Sequence, residues 1–84
     1  MDYVYFLRSE RDEARTYIGS TADLKTRLKR HKEGGAKHTS HYRPWKLVTY
    51  LAFSTKDQAI QFEFYLKTGS GRASASRRLW ESAD

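Results

Sequence analysis

Residues 16–31 read TYIGSTADLKTRLKRH. Thr16 to Gly19 has the β-branched and aromatic character of a strand. Asp23 suits a helix N-cap, with Ser20 and Thr21 as close competitors, and LKTRLKRH then continues with helical spacing. Such a helix should bury a stripe at positions 24, 27 or 28, and 31, and the leucines at 24 and 28 comply. With Leu24 at zero and about 100° per residue, Leu28 lies near 40°, His31 near 340° and Arg27 near 300°. An arginine and a histidine, four residues apart, therefore border the apolar stripe and sit over one patch of surface. An arginine stem laid across the core edge accounts for this without any function. A site accounts for it too.

Working outward, YVYFLR (3–8) is a strand without helical period, and SERDEAR (9–15) is a polar turn, which makes the first two strands a hairpin. A turn centred near Arg11 makes Tyr5 and Tyr17 cross-strand neighbours, the commonest meaning of which is packing. Gly19, at a strand end, admits close approach of another backbone or a ligand. Downstream, Gly34-Gly35 stops the helix near Glu33, and AKHTSHYRP (36–44) is a basic loop closed by the only proline. In WKLVTYLAF (45–53), Trp45, Leu47, Leu51 and Phe53 face one way and Val48, Tyr50 and Ala52 the other. That pattern predicts a central strand covered on both sides. Thr55 and Gln58 have capping-box spacing and open a second helix running to about Lys67. Gly69-Ser70-Gly71 breaks it, and ASASRRLWE (73–81) supplies a short last helix. The order β-β-α-β-α-α predicts a single α+β domain over residues 1–84, a small antiparallel sheet flanked by helices.

The chain has no cysteine, so a disulfide framework and a cysteine-ligated zinc are excluded. No apolar run has the length of a membrane span, and a cytoplasmic protein without membrane contact is the expectation. The net charge is +6, and between Lys25 and Lys46 eight Lys or Arg residues face a single acid, Glu33. Arg72, Arg77 and Arg78 form a second cluster. A surface of this kind suits a polyanion, because neutralising phosphates releases counterions. At this size a protein partner or a dimer is also expected to matter.

The second helix repeats the anomaly of the first. With Ala59 at zero, Phe62, Leu66, Ile60 and Phe64 span an apolar arc of about 200°, and Glu63 falls near its middle at about 40°. A carboxylate there loses hydration unless something binds it. A salt bridge with Arg27 would suffice; so would a divalent cation, since magnesium often takes only one or two protein carboxylates.

The tyrosine strand YVYFL, then YIG, then Arg-x-x-x-His on the next helix, and a lone Glu on a later one resemble the GIY-YIG nuclease domain over nearly the whole chain. YIGST followed by DLKTRLKRH is the specific part, whereas Tyr3-Val4-Tyr5 stands where the family has Gly-Ile-Tyr. The resemblance implies a three-stranded antiparallel sheet flanked by helices. It makes Tyr5 and Tyr17 the two motif tyrosines, and Arg27 the contact to the scissile phosphate. His31 takes a position the family fills with histidine or tyrosine, and Glu63 becomes the ligand of Mg²⁺ or Mn²⁺. Many members add an active-site asparagine after the glutamate. This chain has none, so that contribution is either missing or made by another group such as Ser70, Ser74 or Ser76.

The function implied is a metal-dependent DNA endonuclease in DNA repair or processing, selective for structure rather than sequence. RNA is a second candidate polyanion. A binding module of the same fold without turnover is the alternative, with Glu63 and Arg27 surviving as a salt bridge. In the nuclease, Arg27 would offer its planar fork to a non-bridging oxygen. A tyrosine, Tyr17 by preference and Tyr5 otherwise, would orient or deprotonate the attacking water, and His31 would orient that tyrosine or touch the phosphate. Lys25, Lys29, Arg30 and Lys32 on the helix, with Lys37 and Arg43 in the loop, would grip the nucleic-acid backbone.

Overall fold

Asp2–Ser9 forms strand β1, whose residues Val4, Tyr5, Phe6 and Leu7 are at most 1% exposed. Consecutive burial of this kind requires cover on both faces, and β1 is the middle strand of a sheet ordered β2-β1-β3. Strand β2 is Thr16–Thr21 and β3 is Trp45–Phe53, both antiparallel to β1. The computed structural model describes residues 1–35 and 39–80. Helix α1 is Leu24–Glu33, α2 is Lys56–Leu66 and α3 is Gly69–Ala75, followed by a π-helical turn at Ser76–Trp80. The α+β architecture and the element order are as expected from the sequence.

Two helix starts follow the expected local chemistry. The Asp23 carboxylate accepts from the Thr26 hydroxyl at 2.8 Å and the Thr26 backbone N–H at 3.1 Å. Those two bonds, the hydroxyl's first, hold its carboxyl below the ordinary aspartate range. Thr55 and Gln58 form a reciprocal capping box at the head of α2. At the end of α1, Gly34 adopts φ 79°, the left-handed conformation that glycine takes without strain.

Three expectations are corrected. The hairpin centres on Asp12, not Arg11, because the Ser9 hydroxyl accepts from the N–H groups of Arg11 and Asp12 and sets a longer turn. Tyr5 consequently lies opposite Gly19, and Tyr17 opposite Leu7. Second, β3 is an edge strand, and a bulge opposite Phe6/Leu7 inserts Val48 as an extra residue. The bulge inverts the faces on one side of it. Leu47 thus shares a face with Tyr50 rather than with Leu51 and Phe53, and Val48 joins Leu51 and Phe53 against the core.

The third correction concerns Gly69-Ser70-Gly71: α2 ends before it, as expected, but these residues open α3 instead of separating α2 from a last helix starting at Ala73, and the Thr68 hydroxyl caps α3 by accepting from the Gly71 N–H at 3.0 Å. Gly71 is buried where α3 crosses the end of α2. A Cβ there would overlap the Tyr65 carbonyl oxygen and lie 2.9 Å from Leu66 Cα. Backbone cannot yield as a flexible side chain does, so Gly71→Ala is expected to destabilise the fold despite alanine's better helix propensity. Overpacking of about 1–3 kcal/mol corresponds, at this chain length, to a melting temperature lower by roughly 5–20 °C. A thermal melt followed by circular dichroism reads it, and an unchanged or raised midpoint would refute the close approach of the two helices.

The hydrophobic core lies on one side of the sheet. Val4, Phe6, Ala59, Leu66 and Ala75 pack beneath α2 and α3, with Trp80 set edge-on to Phe6 at 5.1 Å between ring centroids. On the opposite face Tyr5 and Leu7 turn toward α1.

Candidate functional site

On α1 the most buried residue is polar. His31 is 2% exposed, whereas Leu24, Leu28 and Arg27 are half-buried. The histidine therefore does more than border the leucine stripe: it is the side chain that α1 seats in the sheet. Its Nε2 lies 2.8 Å from the Tyr5 hydroxyl and its Nδ1 2.7 Å from the Thr39 hydroxyl. Both ring nitrogens are thus partnered, as a buried imidazole requires. Tyr17 completes the group, its ring 5.1 Å from that of His31 and 6.1 Å from that of Tyr5.

Gly19 is what lets the two phenols converge. A Cβ at that position would lie 2.6 Å from Tyr5 Oη and 2.9 Å from a Tyr17 ring carbon. The close approach anticipated at Gly19 is made by a side chain of the neighbouring strand, laid across the glycine. This is the physical sense of Tyr-Ile-Gly in β2.

The electrostatics divide the two partners. Burial, and behind it the adjacent Tyr17 phenol, pushes Tyr5 up to about 12, against the pull of the Arg27 guanidinium beside its hydroxyl. Tyr5 is a neutral hydrogen-bond donor at physiological pH. His31 moves the other way: burial first, then Arg27 and Arg30, lowers its pKa and favours the neutral ring. With the folded pKa below the unfolded value of about 6.5, the unfolded chain binds the proton first. Stability is then full above about pH 6.5 and is lost as pH falls through the folded pKa. Denaturant melts from pH 7.5 down to pH 5 should show that decline, and His31→Gln should flatten it. An equal slope in the variant would assign the decline to other groups.

Glu63 stands apart from this cluster, on α2. Its side chain is 22% exposed, and its carboxylate lies 3.5 Å from Lys67 Nζ. The apolar arc around it is less sealed than the sequence suggests. Only Ala59 and Leu66 are fully buried on it, Phe64 is 68% exposed, and Glu63, about 40° round from Ala59, is half-buried like Ile60 and Phe62. Its ion-pair partner is Lys67, one turn on, and not Arg27. Lys67 in turn helps to line a cleft of about 410 Å³ with Tyr17, Leu66, Arg72 and Trp80. Tyr17 thus belongs both to the histidine cluster and to the cleft lined by Lys67, the ion-pair partner of Glu63.

No group of three or more His, Cys, Asp or Glu gathers as a metal cage among the described residues. The donor set nevertheless suits a hard, mostly hydrated cation. Glu63 is a half-buried carboxylate paired with a lysine that is 61% exposed. Among the residues suggested to replace an asparagine, Ser70 and Ser76 are exposed and Ser74 is half-buried; Arg72, from the same helix, is the one that reaches the Tyr17 cleft.

Of the basic residues, Lys25, Lys29, Arg30 and Lys32 are exposed on α1. Arg43 is exposed as well, and its Nε donates to the Ser40 carbonyl at 3.0 Å. Lys37 lies outside the described residues. Sequence reasoning missed Thr39, which is 1% exposed, and Lys67 at the cleft, and it read Arg72 only as part of a basic cluster. Lys67 was discoverable, since Glu63 and Lys67 have i,i+4 spacing. Thr39 carried no signal, because its contact with α1 depends on the path of a loop.

The family model described as GIY-YIG catalytic domain matches residues 1–76. The chain is similar to UPF0213 protein YazA of Bacillus subtilis, 48% identical over 52 residues, covering 61% of this chain and 52% of that protein. It is 45% identical over 65 residues to the structure-specific endonuclease subunit slx1 of Schizosaccharomyces japonicus, covering 71% of this chain and 24% of that protein. The chain thus spans about a quarter to a half of the length of these relatives. The solution NMR structure of UPF0213 protein BH0048 from Bacillus halodurans superposes with a TM-score of 0.55 at 32% identity, covering 94% of this chain and 87% of that one.

Proposed function

Because the chain belongs to the GIY-YIG catalytic domain family, we propose that it is a divalent-metal-dependent endonuclease that hydrolyses DNA phosphodiester bonds at structural features such as nicks, flaps or branches, in DNA repair or processing. The observation that carries this reading is the convergence of Tyr5, Tyr17 and His31, with Arg27 beside the Tyr5 hydroxyl. Relatives named as structure-specific endonuclease subunits support the substrate class.

Phosphodiester hydrolysis needs an in-line water, stabilisation of charge on the phosphoryl oxygens and help for the leaving oxygen. Arg27, half-buried and always protonated, donates its fork to a non-bridging oxygen. Tyr5, held neutral, orients the attacking water through its oxygen and leaves proton removal to Tyr17, which opens on the cleft. His31 holds Tyr5 in place through the Nε2 contact. Glu63 is the residue that would hold Mg²⁺ or Mn²⁺, which supplies charge neutralisation at the phosphoryl and leaving oxygens. Lys25, Lys29, Arg30, Lys32, Lys37 and Arg43, with Lys67 and Arg72 at the cleft, grip the strand through its phosphates.

The test is to incubate the protein with supercoiled plasmid and with labelled nicked, flapped and branched duplexes, with Mg²⁺, Mn²⁺ or chelator. Metal-dependent cleavage of the branched or flapped forms supports the reading. Tight binding with no cleavage in either metal overturns it in favour of a binding module of the same fold. Faster cleavage of matched RNA would move the substrate class from DNA to RNA.

A further inference from the structure

Thr39 has no counterpart among the residues so far given a role, yet it is as buried as the centre of the core, at 1% exposed. It sits just after α1, where its two polar ends point in different directions. Its hydroxyl lies 2.7 Å from His31 Nδ1. Its carbonyl accepts from the Trp45 indole N–H at 2.6 Å, which ties this part of the loop to the start of β3. The hydroxyl is therefore delivered to the imidazole by a backbone anchored to the sheet, not by a swinging loop.

The chain of contacts fixes proton positions. Arg27 has only N–H donors, so toward it the Tyr5 oxygen is an acceptor, and the one phenolic proton is left to donate elsewhere. At 2.8 Å the imidazole Nε2 is a stronger neutral acceptor than the Tyr17 phenol that also lies beside the Tyr5 hydroxyl. Nε2 must then be bare, and a neutral ring carries its remaining proton on Nδ1, where the Thr39 oxygen accepts it. The hydrogen bond made by one ring nitrogen decides the tautomer and hence the role of the other.

We propose that Thr39 is a positioning residue: by accepting from His31 Nδ1–H it holds the imidazole in the Nδ1-protonated tautomer, so that Nε2 captures the Tyr5 proton and the Tyr5 oxygen keeps its lone pairs turned toward Arg27 and the attacking water. Its catalytic consequence rests on the nuclease reading; its structural content does not. Without the threonine hydroxyl the ring reverts toward the Nε2-protonated form that imidazoles of free histidine prefer. Nε2 would then donate to Tyr5, whose proton would have to turn into the site, against the N–H donors of Arg27.

The experiment uses the full chain, labelled with ¹⁵N, and reads the His31 ring nitrogens by long-range ¹H–¹⁵N correlation at pH 7.5. The wild type and Thr39→Ser are expected to show Nδ1 protonated and Nε2 bare. The isosteric Thr39→Val is expected to shift toward Nε2 protonation, with a backbone amide spectrum that confirms it is folded. In parallel, single-turnover cleavage of a branched duplex should fall about tenfold in Thr39→Val with half-saturating DNA unchanged within twofold, and Thr39→Ser should restore the rate. An Nε2-protonated wild type, or a Thr39→Val ring identical to wild type, overturns the proposal whether or not the protein cuts DNA. A correct tautomer shift without any cleavage by the wild type would leave Thr39's positioning of His31 standing and overturn only the nuclease reading.

Discussion

Arg27→Ala is expected to slow single-turnover nicking of plasmid by about 10²- to 10³-fold, with little change in the DNA concentration that half-saturates the enzyme. That range is what removal of one preorganised donor to a developing negative charge costs in other hydrolases. The local geometry makes the loss specific to the transition state. Arg27 is half-buried beside a phenol whose proton is not released below about pH 12, so it faces no fixed anion in the resting site. Its charge is there for the substrate. Arg27→Lys should recover less than a tenth of the activity, since an ammonium cannot present two parallel N–H groups to a phosphoryl oxygen pair. Neither variant should unfold the protein, because Arg27 has no ion-pair partner among the described residues. A lysine variant as fast as wild type would show that only charge is needed at this position. An alanine variant as fast would remove Arg27 from the site.

The strand–turn–helix of residues 16–31 was readable because each of its signals is local. Capping by Asp23, termination by Gly34 and the i,i+4 relation of Arg27 and His31 need no knowledge of the rest of the chain. The orientation of His31 into the sheet was legible as a polar residue at a stripe position, although not that it would be more buried than the leucines beside it. What escaped was every feature decided by tertiary contact. The bulge at Val48 changes which residues of β3 share a face, and nothing in WKLVTYLAF marks it. Gly69-Ser70-Gly71 has the composition of a linker, yet it is the contact surface where one helix crosses another. The apolar arc of α2 looked wider than it is because an exposed phenylalanine at 64 counts as apolar on a helical wheel. The wheel placed Glu63 among apolar neighbours correctly, but it could not show that only Ala59 and Leu66 of that arc are sealed from solvent. The chemistry proposed for Glu63 is unaffected, since a hydrated cation needs an accessible carboxylate more than a sealed one.

Glu63→Gln is the substitution that separates a ligand from a salt-bridge partner. The change keeps shape and removes charge, so the ion pair with exposed Lys67 is lost at a cost of well under about 1 kcal/mol. Stability should be nearly unaffected. Cleavage should fall by about 10²-fold or more at fixed Mg²⁺, and raising Mn²⁺ should recover part of it, because one weakened oxygen ligand lowers occupancy and the substrate phosphate still contributes. A second readout does not depend on turnover. Trace Mn²⁺ should broaden amide signals near Glu63 and Lys67 in the wild type, and the broadening should vanish in Glu63→Gln while Lys67→Ala leaves it intact or strengthens it. The lysine matters to this argument because it lies 3.5 Å from the carboxylate in the absence of substrate. If it competes with the cation for Glu63, Lys67→Ala should tighten Mn²⁺ binding; if it grips DNA from the cleft wall instead, Lys67→Ala should weaken DNA binding and leave Mn²⁺ alone. Broadening centred on any other carboxylate, or equal in Glu63→Gln, would place the cation elsewhere and return Glu63 to the surface of α2 as an ordinary partner of Lys67.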